Sequence, residues 1–427
     1  MRTWVIALGL ACGCYHPSFE QNVPCAADLS CPGSEVCDTS QAPPVCVDQL
    51  GSGHGAPDGS MQIDGAVTAC GVCDNPTPVC DTDSTTCRGC YNDAECGSDV
   101  CSEWTGTCVA ELDALYVRNG GTDAGTCTRT QPCSTITRAL ALVDATRFTI
   151  KVFDGNYHDA FVTSLPFVLS GENDGNNAHV FFKASLGHDH LLEIDGGTSL
   201  VEGVILDGGG QETVRVQGGA MVTMFQVEVL DSPLGAIDMS ASSVDLEQVE
   251  VHDSQGTEAA INQTDGQLEL ESSVVYTVGG ACVKTQGAYL VENSFLVGCT
   301  GPGFVEAGAL AAVQVFQFNT VANNGTGATC ATPTAIKNTI FATNGATTPQ
   351  VTPLCAPTYS LFTDVAPSGT GNISSGNPAF VASDDDHITG QSAARDKADP
   401  AATLTFDYDG EARPHGIASD IGADEHY

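Results

Sequence analysis

The sequence predicts an all-β solenoid over most of the chain, because one short phrase recurs in a region rich in Gly, Ser, Thr, Val and Asn. Seven copies of the phrase, each an apolar pair followed by a turn, occur between residues 202 and 344. Their anchors are spaced 23, 22, 25, 21, 26 and 19 residues apart, at Val204, Val227, Val249, Val274, Phe295, Val321 and Ile340. This period is typical of stacked coils. Such a stack has no central pocket, so any functional site must lie on an outer face.

The predicted interior of the stack is a continuous apolar column that no single coil could bury alone. Its predicted members are Ile194, Val204, Val216, Val227, Ile237, Val249, Ile261, Val274, Val283, Phe295, Val321 and Ile340. Asn293, Asn319 and Asn338 each lie two residues before an anchor. This alignment predicts an asparagine ladder that hydrogen-bonds backbone groups of the turns, in preference to a ligand site.

A short helix is predicted before the first full coil. Cys127 and Cys133 are close enough in sequence to close a local loop, and Ser134 is a candidate N-cap. The residues that then fall on one helical face are Ile136, Ala139, Leu140 and Val143. We expect this helix to cover the open apolar end of the solenoid.

The first 14 residues have the outline of a signal peptide, with Arg2, a short apolar run and then small residues and cysteine. They resemble a bacterial lipoprotein signal, which implies lipidation at Cys14 or, as the alternative, at Cys12. Plain secretion is the competing interpretation. The expected location is therefore the bacterial outer membrane or cell surface, or else the extracellular space, with membrane contact through a lipid alone.

Of the 20 cysteines, 14 precede residue 109, which predicts a separate disulfide-rich region. We divide it into a module over residues 15–46, a Gly and Asp rich flexible linker over 47–69, and further modules over 70–108. Cys70 and Cys73, followed by Cys87 and Cys90, also have a spacing close to a zinc ribbon. Disulfides are preferred, because they form outside the cytoplasm and because Cys80 would be left over from a zinc site.

The formal net charge of −39, from 53 acidic and 14 basic residues, excludes nucleic acid as a partner. Nucleic-acid binding depends on Lys and Arg that neutralise phosphates. The acidity is interpreted first as a surface that keeps an extracellular protein soluble, and second as calcium binding.

The chain from residue 115 onward resembles a known family. The order of YV, GTDAGT, QPCSTITRAL, IKVFDGNYHD and VLSGEND is similar to the opening of right-handed parallel β-helix proteins of the pectin lyase-like superfamily. The resemblance implies a single-stranded right-handed parallel β-helix over residues 115–375. Residues 376–427 resemble the closing module called a choice-of-anchor domain, and the cysteine region resembles the stalks of predicted surface lipoproteins from myxobacteria. The superfamily includes lyases, hydrolases and adhesins, so the fold alone does not assign an activity.

Carboxylates recur in register with the anchors and are the first catalytic candidates. Glu228 and Glu250 follow their anchors directly, Asp231 and Asp253 lie four residues after them, and Asp207 lies three after its own. Stacked coils lie about 4.8 Å apart, close to the roughly 5–5.5 Å between the carboxyl groups of retaining glycosidases. Any stacked residue type gives that separation, so a solvated face is the preferred interpretation and a calcium site an alternative.

Other candidate groups are scattered. The cations of the central coils are Lys183, Arg215, Lys284 and Lys337, of which Arg215 is retained as a catalytic candidate. Lyases of this fold resemble one another in using Arg or Lys as base. The acids of FDYDGE, namely Asp407, Asp409 and Glu411, are candidates for a small calcium loop, with turn stabilisation preferred. The early cluster of His179, His188 and His190 with Asp174 and Asp189 is a metal candidate or, by preference, a surface loop. The run Asp384–His387 is interpreted as a turn.

These observations favour a non-enzymatic, exported and lipid-anchored scaffold for adhesion or glycan binding, held away from the membrane by its cysteine-rich stalk. The alternative is a carbohydrate-active enzyme, either a polysaccharide lyase or a glycoside hydrolase. No cofactor is expected to be required, calcium is the one candidate ion, and a monomer is expected. Cys282 with Cys299 and Cys330 with Cys355 are candidate disulfides within the solenoid, although four cysteines permit three connectivities.

Overall fold

Three parallel sheets run along the molecule and meet at sharp corners. The computed structural model describes residues 70, 73–81, 86–172, 180–184, 188–308, 313–345 and 350–427, with the backbone alone of 36–38 and 45–47. Cys12, Cys14, His179, Asp174, residues 48–69 of the linker and most of the module 15–46 lie outside the described residues. Among the described residues, no helix is both long enough and apolar enough to cross a bilayer.

The longest sheet has eleven strands, each hydrogen-bonded to the corresponding strand of the next coil. In chain order they are Ala114–Val117, Thr149–Val152, Phe167–Gly171, Thr198–Glu202, Met221–Phe225, Ser242–Glu247, Gly266–Glu271, Ala288–Glu292, Gln314–Gln317, Thr334–Lys337 and Cys355–Thr358. Burial alternates along these strands, as in Ser242–Glu247, where Val244 and Leu246 face the interior. This period of two fixes which side chains enter the core.

The other two sheets complete each coil. The ten-stranded sheet contains Gly155–Tyr157, Val180–Lys183, Ile205–Asp207, Glu228–Leu230, Glu250–His252, Val274–Tyr276, Phe295–Val297, Thr320–Ala322, Ile340–Ala342 and Leu361–Phe362. The eight-stranded sheet contains Phe161–Thr163, Leu192–Asp195, Val214–Gln217, Ile237–Met239, Ile261–Gln263, Val283–Thr285, Pro302–Glu306 and Thr326–Cys330. All pairings in the three sheets are parallel, which confirms the predicted all-β right-handed parallel β-helix.

The remaining elements lie at the ends of the β-helix or outside it. Antiparallel hairpins pair Val36–Asp38 with Val45–Val47, Val79–Cys80 with Cys87–Arg88, Cys101–Ser102 with Thr107–Cys108, and Phe380–Ala382 with Asp385–Ile388. Among the described residues the helices are the 3-10 turns Asp93–Glu95 and Glu111–Asp113 and the α-helix Ile136–Leu140. The predicted cap helix is therefore present, but its N-cap is Thr135, whose side chain accepts a hydrogen bond from Arg138 N, rather than Ser134.

The first corner of most coils uses a residue with positive φ. Each of these residues directly follows a strand of the eleven-stranded sheet and begins the link to the ten-stranded sheet. They are Gly203, Gln226, Gln248, Ser272, Asn293, Phe318, Asn338 and Tyr359. A left-handed residue turns the chain sharply while leaving the strands on both sides extended. The corner therefore needs only two or three residues, and successive corners stack.

The phase of the repeat differs from the prediction in three coils. Val274, Phe295 and Ile340 are buried, but they stand in register with Glu228 and Glu250 on the outer face of the ten-stranded sheet. The C-terminal module covers them there. The other nine predicted core residues belong to the interior cluster. A shift of one residue in a strand moves a side chain to the opposite face. The predicted anchors of these three coils are therefore wrong by one position along the strand.

The predicted asparagine ladder exists in altered form. Asn319 is fully buried, accepts a hydrogen bond from Ser294 N and donates one to Val291 O. Asn293 and Asn338 instead occupy the left-handed corner position and bind the C-terminal module, through Phe406 O and Asp399 N. A second buried pair, Asn324 and Asn344, stacks at the opposite corner of two successive coils. Each of these amides satisfies backbone groups that would otherwise be buried without partners.

Seven disulfides join described residues. They are Cys70–Cys80, Cys73–Cys87, Cys90–Cys101, Cys96–Cys108, Cys127–Cys133, Cys282–Cys299 and Cys330–Cys355. The zinc-ribbon alternative is therefore replaced by disulfides, and the three pairs in the β-helix are those that the sequence suggested. Disulfides of this number are typical of extracellular and cell-surface proteins.

The last cysteine-rich module, residues 86–108, packs against the β-helix and is not a free stalk. Lys151 of the eleven-stranded sheet is 1% exposed and its Nζ lies 2.6 Å from Asp93 Oδ2. Ser102 Oγ donates to Glu202 Oε2 at 3.2 Å. Trp104 then packs edge-on against Phe225, with ring centroids 5.5 Å apart. The module thus covers part of the outer face of the eleven-stranded sheet over its first coils.

Residues 376–427 form a closing module over the outer face of the ten-stranded sheet. Its Ile388, Ala394, Ala398 and Ile421 bury Phe318, Ala322, Ile340, Ala342 and Leu361. The Arg413 side chain is fully buried beside Phe318, with its guanidinium carbon 4.7 Å from the ring centroid. The guanidinium also binds Glu425 Oε2 at 3.0 Å. Together with the cysteine-rich module, these residues leave two outer faces of the β-helix partly covered.

Candidate functional site

The outer side of the eight-stranded sheet presents a line of polar side chains, one from each of five successive coils. We call it the charged row, and it consists of Glu193, Arg215, Asp238, Asn262 and Lys284. Each member lies between inward-facing residues of its strand and is partly exposed. Neighbouring strands lie about 4.8 Å apart, so the row extends over roughly 19 Å.

Hydrogen bonds hold the acidic members of the row in place. Gln217 Nε2 donates to Glu193 Oε1 at 2.9 Å, and Asn262 Nδ2 donates to Asp238 Oδ1 at 2.7 Å. Arg215 Nη1 lies 3.3 Å from His190 Nε2, and the ring of His190 lies 3.4 Å from Glu212 Oε2 through Nδ1. Within the described part of the chain, neither Arg215 nor Lys284 has a carboxylate within ion-pair distance. Their charges are available to a ligand.

An open groove of about 560 Å³ adjoins the Lys284 end of the row. Its walls are the stacked loops that enter the eight-stranded sheet, with Thr257, Glu258, Asn262, Lys284 and Thr300 among the lining residues. The disulfide Cys282–Cys299 ties two of these loops together. The loops stack closely because glycine stands where they meet, and a side chain at Gly280 would collide with Glu258 O. The groove is therefore polar and built on rigid backbone.

Glu228 and Glu250, catalytic candidates for which a solvated face was the preferred interpretation, lie in register on the ten-stranded sheet, and both acids have structural partners. Glu228 Oε1 binds His252 Nε2 at 3.0 Å, and Glu250 Oε1 accepts a hydrogen bond from Tyr276 at 2.6 Å. His252 also binds Asp253 Oδ2 at 2.9 Å and stacks on Tyr276 with ring centroids 4.8 Å apart. This hydrogen-bonded cluster is a packed edge of the coil rather than an open pair of acids.

The remaining sequence candidates are separated from one another. Asp207 lies on the ten-stranded sheet and its Oδ2 binds Lys183 Nζ at 2.6 Å. Asp231 and Asp253 both occupy left-handed positions just after their strands, so they serve the turns. Arg215 lies on the eight-stranded sheet. Of the early histidine cluster, the structure places His190 against Arg215, while His179 and Asp174 lie outside the described residues.

Protonation of His252 follows from its partners. Burial opposes the charged imidazolium, but hydrogen bonds to Glu228 and Asp253 outweigh it and raise the pKa of His252 to about 9. A histidine whose folded pKa is raised stabilises the fold fully below its unfolded pKa of about 6.5, and the stabilisation is lost as pH rises through the folded pKa.

We expect His252→Gln to lower the free energy of unfolding by about 3 kcal/mol at pH 6, since one pKa unit corresponds to about 1.4 kcal/mol. The difference from the unsubstituted protein should shrink as pH rises from 7 to 10, which is about the range between the two pKa values. Urea unfolding at several pH values measures it. The exposed His158→Gln is the control, with a change below about 0.5 kcal/mol at either end of the range. A pH-independent loss in His252→Gln would contradict the assigned ion pairs.

A third group of acids was missed by the sequence reasoning. On the outer side of the eleven-stranded sheet, Glu247, Glu271 and Glu292 are register partners, and Asp245 pairs with Glu269. Burial and then repulsion, first from Glu292, raise the pKa of Glu271 to about 7. The alternation in VDLE and LELE is the signal that places both acids of each strand on one face. Aligned carboxylates alone do not define a site, and Glu292 is bound by Gln317 Nε2 at 2.8 Å.

The candidate calcium loop of the closing module has a structural role at its first residue. Asp407 is 1% exposed, and its carboxylate accepts hydrogen bonds from Asp409 N, Glu411 N and Glu425 N. It therefore stabilises the turn, as preferred from the sequence. Asp409 points to a different partner, His387, at 3.1 Å between Oδ2 and Nε2.

The charged row was also missed, although its signal is present in the sequence. Each member stands between strand residues in the triplets LEI, VRV, IDM, INQ and VKT, at one coil's spacing. A polar centre flanked by apolar residues in a three-residue strand is the pattern of one outward position. Aligning these triplets, rather than the phrases of the ten-stranded sheet, would have found the row.

Comparison with known proteins supplies a family match for part of the chain. Residues 119–232 match a family model described as "Protein of unknown function (DUF1565)". No curated protein matches the chain. Among solved structures, the chain is similar to one titled "Crystal structure of pectate lyase Pel9A", with 13% identity, a TM-score of 0.49, and coverage of 74% of this chain and 96% of that one. The parallel strand register by itself establishes the β-helix fold.

Proposed function

We propose that the protein is an exported, non-enzymatic β-helix scaffold that binds glycan chains along the charged row. The observation that carries the proposal is the exposure of this row beside the polar groove, with Arg215 and Lys284 lacking carboxylate partners among the described residues. The closing module covers much of the ten-stranded sheet, and the cysteine-rich module covers the first coils of the eleven-stranded sheet.

The chemistry of the row suits an elongated sugar chain. Carboxylates accept hydrogen bonds, Lys and Arg donate them, and an amide does both, which matches the hydroxyl groups of a glycan. Donors and acceptors recur at about 4.8 Å over five coils, so a linear chain laid along the row would meet several of them. Arg215 and Lys284, which have no carboxylate partner among the described residues, would contact an acidic substituent of the sugar.

Export, lipidation at Cys14 or Cys12, and a place at the cell surface are part of the same proposal. The seven disulfides support an extracellular or surface location. The docked module makes the last part of the predicted stalk a fixed base of the β-helix. Any flexible spacing would therefore come from residues before it.

We expect Arg215→Ala and Lys284→Ala each to weaken polysaccharide binding at least tenfold, because hydrogen bonds from charged donors contribute about 1.5–3 kcal/mol. Affinity is measured by titration of the purified chain against a panel of acidic and neutral polysaccharides. Lys337→Ala is the matched control, since Lys337 is an exposed strand lysine on the eleven-stranded sheet. Equal loss in all three variants, or no binding to any glycan, would contradict the proposal.

One observation favours the enzymatic alternative, a glycoside hydrolase. Glu193 and Asp238 lie two coils apart on the charged row, a strand separation of about 9.6 Å. Inverting glycosidases place their two carboxyl groups roughly 6.5–9.5 Å apart. Release of reducing sugars by the unsubstituted protein, abolished in Asp238→Asn, would show that the protein is a glycoside hydrolase and not a non-enzymatic scaffold.

A further inference from the structure

A second site is built inside the closing module, around a histidine that faces three carboxylates. His387 lies on the hairpin strand Asp385–Ile388, and Asp409 and Asp424 come from two later segments. One donor atom from each of His387, Asp409 and Asp424 lies within 4.8 Å of the others. Residues far apart in sequence therefore converge on one point.

The orientation of His387 is the first argument for a ligand. Its Nδ1 lies 2.6 Å from Asp385 Oδ1, which fixes the ring so that Nε2 points toward Asp409 and Asp424. Histidines that bind metals usually donate the other ring N–H to a carboxylate in this manner, which sets the tautomer and the ring orientation. Asp385 thus occupies the supporting position of a carboxylate–histidine–metal arrangement.

The state of Nε2 is the second and independent argument. This nitrogen is fully buried and has no hydrogen bond of acceptable geometry among the described residues, although Asp409 Oδ2 lies 3.1 Å away. A buried ring nitrogen normally makes a well-aligned hydrogen bond, which the contact with Asp409 is not. A metal ion between Nε2 and the two carboxylates would satisfy it.

The surroundings keep the carboxylates in place. Asp424 is 6% exposed and its Oδ2 accepts a hydrogen bond from Ile388 N at 2.6 Å. Asp407 holds the loop of Asp409 through Asp409 N at 3.1 Å. Around His387, three acids, Asp385, Asp409 and Asp424, face one imidazole, so the cluster carries an excess of negative charge that a divalent cation would reduce.

We propose that His387, Asp409 and Asp424 bind a divalent transition-metal ion of the zinc type, with Asp385 as the positioning residue. One imidazole nitrogen with carboxylate oxygens is a donor set typical of Zn²⁺ and its neighbours, whereas Ca²⁺ takes oxygen ligands alone. The His387 ring packs against Phe295 of the ten-stranded sheet, with ring centroids 5.0 Å apart. The ion would therefore hold three segments of the closing module together at the place where the module packs on the β-helix.

The test uses the full chain, freed of metal by chelation and then titrated with zinc or calcium chloride. We expect one zinc ion per chain, a zinc-dependent rise in the unfolding temperature, and no such effect of calcium. Asp409→Asn should weaken zinc binding at least tenfold and remove the rise, and Asp385→Asn should weaken it by about 10–100-fold. Asp253→Asn is the matched control, because Asp253 also binds a histidine ring nitrogen but stands outside the cluster.

Equal zinc affinity in Asp409→Asn and the unsubstituted protein would overturn the proposal, as would the absence of zinc binding or an equal effect of calcium. Anomalous diffraction at the zinc edge from crystals of the unsubstituted protein decides the matter if Asp409→Asn fails to fold. A peak between His387, Asp409 and Asp424 supports the site, and a peak only elsewhere overturns it.

Discussion

Arg413→Met is expected to release the closing module from the β-helix and to lower the free energy of unfolding by about 3–5 kcal/mol. The Arg413 side chain is fully buried and donates to Asp420 O at 3.2 Å and to Gly422 O and Ala423 O at 2.8 Å each. Its loss leaves these carbonyls without a donor and leaves Glu425, 1% exposed, as a buried charge without its cation. Breaking a buried pair in this way costs far more than an exposed pair contributes.

Urea unfolding and hydrogen exchange measure the effect of Arg413→Met. Faster exchange should appear in residues 376–427 and in the strands beneath them, including Ile340–Ala342. Arg395→Met is the matched control, since Arg395 belongs to the same module, is partly exposed and donates to Gly390 O. If Arg413→Met lowers the free energy of unfolding no more than Arg395→Met does, the closing module is held on the β-helix by its apolar contacts alone.

The second large effect is expected where the cysteine-rich module packs on the β-helix. Lys151→Met should lower the free energy of unfolding by about 3–5 kcal/mol. Lys151 is almost completely buried between Asp93 and the hydroxyl of Ser170, which its Nζ contacts at 3.2 Å. Without the ammonium group, Asp93 retains Cys101 N as a hydrogen-bond partner but loses its counter-charge under the module. The module should then separate from the eleven-stranded sheet while its disulfides keep it folded.

Limited proteolysis and the free energy of unfolding report this separation. Arg129→Met is the control, because Arg129 pairs with Asp99 across the same interface, with both side chains about one third exposed or more, at 34% and 42%. An exposed pair of this kind contributes roughly 0–1 kcal/mol. If Lys151→Met and Arg129→Met lower the free energy of unfolding by the same amount, the buried Lys151–Asp93 pair does not hold the module on the β-helix.

The β-helix could be predicted because its signals are local and repeated. Strand alternation and the coil period both lie within short windows of sequence. The face on which Phe295 and Ile340 lie could not be read in the same way. An apolar residue on the outer face looks like a core residue until the position of the closing module is known, and that module begins far along the chain.

The candidate site was predictable in part for the same reason. Glu228 and Glu250 do stack in register, which follows from the repeat alone. Their engagement with His252 and Tyr276 depends on neighbouring coils, and the convergence of His387 with Asp424 depends on the folding of three separate segments. Lys284 was counted only as one of a few cations, because its place in a row becomes visible when the strands of the eight-stranded sheet are aligned.

The disulfide loop at the start of the β-helix also determines where the stack stops. Tyr116 N donates to Cys127 O, Cys133 N donates to Tyr116 O, and Arg118 N donates to Cys133 O. The free hydrogen-bonding edge of the strand Ala114–Val117 is thereby occupied by the chain's own loop. Exposed strand edges recruit further strands and lead to polymers. The loop closed by the Cys127–Cys133 disulfide therefore leaves this edge no free backbone groups with which a strand of a second chain could pair in register.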